Sequence, residues 1–242
     1  MDSIPSLVSG SYIPVVKHGI VGSSVSAVAP SPRTALFDTM DGWTGDTDEY
    51  SYNGTGIEQD TSTANKCIIK SFEEVLSKTD AWIARFTWEM EADSTDDTSI
   101  LSFTSSEEDN QLTTRGQAGN YPYGILLYLA NWNGTFSQLN YGIYTSSYGW
   151  GGLPYSEWVL GNVTPPQTRY YEVIHYTNEK ISASMYSDSD FSSLVGSETR
   201  DDSSATLGQE WDYTQCMLQT RGSGNHHNVF SNFEVKRGVT EW

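Results

Sequence analysis

The chain has 242 residues and 26.9 kDa, with 13 Lys and Arg against 31 Asp and Glu, a formal net charge of −18. That length suits one large β domain, and the charge repels phosphate backbones and anionic lipid, so neither nucleic acid nor a membrane surface is an expected partner. No run of about 18 apolar residues occurs, which leaves no sequence for a spanning helix.

Residues 1–34 differ from the rest. They hold one acid, Asp2, and two bases, Lys17 and Arg33, a net of +1, so the remainder carries −19. Pro5, Pro14, Pro30 and Pro32 are four of the chain's eight prolines. Such a segment cannot build a core alone. Its apolar side chains Ile4, Leu7, Val8, Tyr12, Ile13, Val15, Val16, Ile20 and Val21 lack partners within the segment. An extended N-terminal assembly arm is expected, docked on another copy of the chain or on a neighbouring structural protein, with docking on its own body as the alternative. Met1 to Pro5 shows neither a basic start nor an apolar stretch, so no secretory signal is expected.

From residue 35 to residue 242 the reading is all-β, as one domain. Asp41-Gly42 and Asn53-Gly54 mark turns. Ser71 to Lys78 is the single plausible helical turn. Trp82 to Glu91 alternates, with Trp82, Ala84, Phe86, Trp88 and Met90 on one face and Arg85, Thr87, Glu89 and Glu91 on the other. Tyr123 to Ala130 is nearly all apolar and should be covered on both faces. Arg169 to Thr177 is rich in strand-forming residues, and Thr177 to Lys180 reads as a hairpin turn into the alternating Ile181, Ala183 and Met185. Near the end, Val229, Phe233 and Val235 are expected to share a face against Asn228, Asn232 and Lys236. Many short strands with Gly and Asn turns argue for an antiparallel two-sheet jelly-roll sandwich. Cys67 and Cys216 fit no metal or redox spacing; two buried thiols are expected, a disulfide being the alternative.

Chemistry is sparse. Glu89, Glu91 and Asp93 share a strand face at roughly 6.6–6.8 Å intervals, a spacing open to paired-carboxylate glycoside hydrolysis, but five acids lie between Glu89 and Asp97, as on a solvated strand end. His175 sits among tyrosines in a strand. His226 and His227 are adjacent, point to opposite faces, and make an awkward zinc pair. No catalytic residue and no metal ligand is assigned. The aromatic loop around Tyr148, Trp150, Tyr155 and Trp158, with Asn131 and Trp132 upstream, offers rings on which sugar C–H faces could stack; packing or an assembly contact is the competing use.

Three stretches bear a family likeness: Leu36-Phe-Asp-Thr-Met-Asp-Gly-Trp43, Arg169 to Asp188 followed by Leu194-Val-Gly196, and Asn228 to Gly238. They resemble the opening strand, a late hairpin and the closing strand of the concanavalin A-like lectin/glucanase superfamily, of the laminin-G-like kind. The likeness spans about residues 35–238 and implies two curved antiparallel sheets, with sugar bound on the concave sheet or its rim. The family's glucanases carry Glu-x-Asp-x-x-Glu, whereas this chain has Glu89-Met-Glu-Ala-Asp93-Ser-Thr-Asp96. Several members hold a structural calcium. Here Asp38 and Asp41 could ligate, but Asn232 stands where the closing strand often has Asp. No other cofactor is expected. The expected function is a non-catalytic structural protein of a large extracellular particle, foremost a virion component such as a capsid decoration, tail or fibre, with a lectin-like fold able to bind cell-surface glycans. A soluble carbohydrate-binding lectin module is the alternative, and a glycoside hydrolase is third.

Overall fold

The computed structural model describes residues 36–61, 66–90, 98–104, 124–132, 136–144, 158–177, 180–201, 212–221 and 225–242. Residues 1–34, the expected arm, lie outside the described residues. The strands are β1 (Thr44–Gly45), β2 (Tyr50–Tyr52), β3 (Ile57–Thr61), β4 (Cys67–Leu76), β5 (Trp82–Met90), β6 (Thr98–Thr104), β7 (Gly124–Trp132), β8 (Phe136–Tyr144), β9 (Trp158–Val163), β10 (Gln167–His175), β11 (Lys180–Tyr186), β12 (Leu194–Asp201), β13 (Tyr213–Arg221) and β14 (His226–Arg237). A 3-10 turn at Thr47–Glu49 accompanies them. Sheet I runs β1-β4-β13-β6-β7-β8-β9 and sheet II runs β12-β11-β10-β5-β14-β3-β2, each with antiparallel pairing throughout. This is the expected jelly-roll sandwich.

Period-two alternation puts the core between the sheets. Trp82, Ala84, Phe86, Trp88 and Met90 of β5 are buried and belong to it, as do Ile181, Ala183 and Met185 of β11. Facing them from sheet I are Leu101, Phe103, Ile125, Leu127, Cys216 and Leu218. Rings pack along the inner face of sheet II, with Trp88 4.9 Å from Phe230 and Phe86 stacked on Tyr171 at 5.2 Å, and Trp82 meets Phe103 of sheet I edge-on across the gap at 6.2 Å. On the opposite face of β5, Arg85 binds Glu172 at 2.6 Å and lies between the rings of Phe191 and Trp242. The sheets converge at one margin, where a Cβ on Gly196 of β12 would overlap the carbonyl oxygen of Leu160 in β9.

Three expectations change. Ser71 to Lys78 is not helical; residues 71–76 continue strand β4. Phe72 and Leu76 stand four apart, a spacing that puts residues on one face in a helix and in a strand alike, and pairing with β13 decides it. The stretch Leu36 to Trp43 is no opening strand. It turns back on itself, with Trp43 N–H donating to Met40 O, and drives Phe37 into the core against Trp43, Phe230 and Phe233. Val229 does not share a face with Phe233. Asn228 and Phe230 point inward, and a bulge between Ser231 and Glu234 shifts the register so that Phe233 and Val235 point inward too. Asn232 forms that bulge at φ 54°, a left-handed conformation that Asn tolerates better than most residues.

A hydrogen-bond network crosses the sandwich interior. Buried Asn228 accepts from Trp88 Nε1 at 2.8 Å and donates to Gln59 Oε1 at 3.0 Å and to Ser99 Oγ at 2.9 Å. Gln59 donates onward to the Tyr50 hydroxyl, which donates to the Lys66 carbonyl. Burial pushes the Tyr50 phenol well above its ordinary pKa, with Cys67 adding to the rise, so the hydroxyl remains a donor.

Trp88→Ala is expected to lower the unfolding free energy by about 3–5 kcal/mol. Asn228→Leu keeps the volume but leaves Trp88 Nε1 and Gln59 Oε1 without partners, at about 1–3 kcal/mol for each. Urea unfolding monitored by tryptophan fluorescence measures both, and a parent-like Asn228→Leu midpoint would deny the network any structural weight. Cys67 and Cys216 are buried reduced thiols; in the register their strands set, Cys216 lies opposite Lys70, and Cys67 opposite Gln219. Burial also raises the Cys216 pKa far above the usual thiol range. A thiol reagent should therefore label neither residue in the native protein and both in denaturant.

Candidate carbohydrate-binding face

Along β6 and β13 the face of sheet I turned away from the core is closed and carries polar side chains around Met217. On β6, Leu101 and Phe103 belong to the core, so Ser102 and Thr104 project the other way. On β13, Cys216 and Leu218 belong to the core, so Gln215, Met217 and Gln219 project outward beside them. The two strands are in register, with Gln215 opposite Thr104, Met217 opposite Ser102 and Gln219 opposite Ile100. All five outward residues are buried, Ser102, Thr104 and Gln219 completely. The hydroxyls of Ser102 and Thr104 and both amide atoms of Gln219 have no hydrogen-bond partner. Native interiors rarely leave such atoms unmatched without a ligand or water to meet them. The strip therefore offers two hydroxyls and one amide, which together can donate and accept, at the centre of a seven-stranded sheet.

The expected aromatic platform reaches this sheet only in part. Asn131 and Trp132 close β7, in register with Ser137 and Phe136, and Trp158 opens β9, in register with Tyr141. Tyr141 in turn lies opposite Leu127, five positions from Trp132, so Trp132 and Trp158 sit about 17 Å apart along the strands and do not form one platform. Trp158 shares a row with Leu101, three strands from β6 or about 14 Å. Tyr148, Trp150 and Tyr155 lie outside the described residues. Ser102, Thr104 and Gln219 escaped the sequence reading. Alternation in Leu101-Ser-Phe-Thr104 does mark an outward polar face, yet Ser, Thr and Gln on a strand look the same whether solvated or buried.

The remaining candidates divide clearly. Glu89 is exposed at the end of β5, and Glu91 and Asp93 lie outside the described residues. His175 is buried, stacked on Trp82 at 5.4 Å, with Nδ1 3.0 Å from Asp80 O, so it is held as a packing residue. His226 points inward to Ser99 Oγ at 3.1 Å, while His227 points outward to Asp60 at 3.1 Å, the opposed pair the spacing implies. Among the described residues no three His, Cys, Asp or Glu side chains gather as a metal site. Asn232 donates through Nδ2 to the hydroxyls of Thr87 and Ser231.

No protein-family model and no curated protein sequence matches the chain. Solved structures do. A legume lectin-like domain from Entamoeba histolytica aligns over 81% of this chain and 87% of its own, at 8% identity and TM-score 0.56. The metal-free carbohydrate recognition domain of Emp46p aligns over 86% and 96%, at 11% identity and TM-score 0.58. Lectin II from Ulex europaeus aligns over 81% and 92%, at 11% identity and TM-score 0.54. With identity this low, the likeness is one of backbone architecture. The chain has the concanavalin A-like jelly-roll fold, the fold of these lectin domains.

Proposed function

We propose that this chain is a non-catalytic carbohydrate-binding module whose sugar site is the outward polar strip of sheet I. The observation that carries the reading is the set of unmatched, fully buried polar atoms on Ser102, Thr104 and Gln219. Sugar hydroxyls are donors and acceptors at once, and they complete such a set where a purely apolar ligand could not. The three lectin domains that share the fold support the same class of ligand. Among the described residues no pair of acids borders the strip, as glycoside hydrolysis would need.

The charge division favours a second role for the same module. A nearly neutral arm on an acidic body suits anchoring to a larger extracellular particle, of which a virion is the foremost case, with the lectin-like domain turned outward.

A glycan array probed with the full chain is expected to give a restricted set of sugars. Gln219→Ala and Ser102→Ala should each weaken binding about tenfold, the loss of roughly 1.4 kcal/mol of hydrogen bonding. Glu89→Gln should bind as the parent does, and no reducing sugar should be released by either. Binding unchanged in both strip variants would move the site elsewhere, and sugar release lost in Glu89→Gln would make the chain a hydrolase.

A further inference from the structure

A shallow cleft lies where β4 of sheet I passes β14 of sheet II. Its floor is apolar, formed by Leu36, Phe72, Phe233 and Val235. Glu73 and Glu74 stand at the rim. Arg237 already holds Glu74, with Nη1 3.1 Å from its carboxylate and Nη2 2.8 Å from its carbonyl oxygen. Glu73 is exposed, and Lys70, which lines the same cleft and donates to the Leu36 carbonyl at 3.4 Å, feels its charge. Among the described residues the edge of β4 is open here as well. β1 pairs with Ile68 and Ile69 only, and the β13 ladder passes across a bulge from Ser71 directly to Leu76, so Phe72 to Val75 lie outside both ladders.

Leu36 lines this cleft and is also the first described residue after the arm. The chain before it must therefore start beside the open edge. We infer that residues 31–35 of the same chain lie along the outer edge of β4 as a short antiparallel strand, with Arg33 paired to Glu73.

Three features support that occupant. Arg33 stands three residues before Leu36, about 10 Å of extended chain, so its guanidinium reaches the acidic rim. It is one of two bases in residues 1–34, and Glu73 is the exposed acid it would meet, beside Lys70. Prolines occupy positions 30 and 32, and in an added strand alternate residues face the partner edge. Ser31, Arg33 and Ala35 then direct their N–H groups at β4, while the prolines, which have none, face outward. The tether keeps the local concentration of residues 31–35 high, which favours the chain's own segment over a neighbour's. Residues 1–30 remain available for an external partner.

Limited trypsin digestion of the full chain, followed by mass spectrometry, tests the placement. The arm offers two cut sites, after Lys17 and after Arg33, so each chain carries its own reference. In the parent, cleavage after Arg33 should be at least tenfold slower than after Lys17. Glu73→Gln adds no cut site and should raise the Arg33 rate several-fold while the Lys17 rate stays constant; Glu74→Gln should leave both rates unchanged. Hydrogen exchange should also show the amides of Ser31, Arg33 and Ala35 slowed in the parent and released in Glu73→Gln. Equal cleavage at Lys17 and Arg33 in the parent would overturn the inference, as would an Arg33 rate indifferent to Glu73→Gln. Protection lost on dilution would assign the groove to a second copy instead and overturn the intramolecular strand. Sugar binding enters none of these readouts, so the sugar-site reading can fail without affecting this one.

Discussion

Asn228 ties the two sheets together. It sits in the closing strand with its side chain inside the sandwich, bonded to Trp88 of β5, Gln59 of β3 and Ser99 of β6. Ser99 belongs to sheet I and the other two to sheet II, so one amide links both layers. A buried amide left without partners costs more than it contributes when matched, so the geometry that satisfies Asn228 is selected against slipped alternatives. A one-residue slip of β14 would carry Asn228 to the outer face and bring Val229 inward, leaving Trp88 Nε1 without its acceptor. The network fixes register where hydrophobic burial alone would tolerate several packings.

That constraint acts together with the bulge at Asn232. Upstream, even-numbered residues Asn228 and Phe230 face the core; downstream, odd-numbered Phe233 and Val235 do. The change of parity lets one strand serve two packing needs. Its first half meets the polar network beneath β3, and its second half closes over Phe37 and Phe72. The Phe37 plug depends on this arrangement, because Phe230 and Phe233 flank its ring from the two sides of the bulge.

Where a strand runs without interruption, its alternation was legible in the sequence. β5 and β11 keep one parity from end to end, and the turn between β10 and β11 falls where Thr177 to Lys180 announces it. Legibility fails where two periods coincide or a bulge intervenes. Phe72 and Leu76 satisfy helix and strand spacing equally, and only pairing with β13 separates the two. Val229 and Phe233 are spaced as same-face neighbours, yet the left-handed turn at Asn232 lies between them. The candidate site was less legible than the fold. An aromatic announces itself by type, so Trp132 and Trp158 stand out in the sequence as candidates, whereas their separation along sheet I follows from register across three strands. Ser102 and Gln219 become notable only when burial and the absence of a hydrogen-bond partner are seen together.

The proposed sugar site also carries a consequence for ligand charge. Its side chains, Ser102, Thr104, Gln215 and Gln219, are all neutral, while the body from residue 35 onward bears −19. A carboxylated or sulfated sugar would approach against that field and, once inside, would find no cation among the strip's described side chains to offset its desolvation. Screening over about 8–10 Å at physiological salt softens the approach but not the burial. A neutral sugar meets neither cost, and its hydroxyls match the amide and hydroxyl atoms one for one. Among glycans of similar size, the strip should therefore select neutral hexoses over sialylated ones, with a preference that persists at high salt. A preference that vanished with added salt would place the discrimination in the surrounding acidic field and not in the strip.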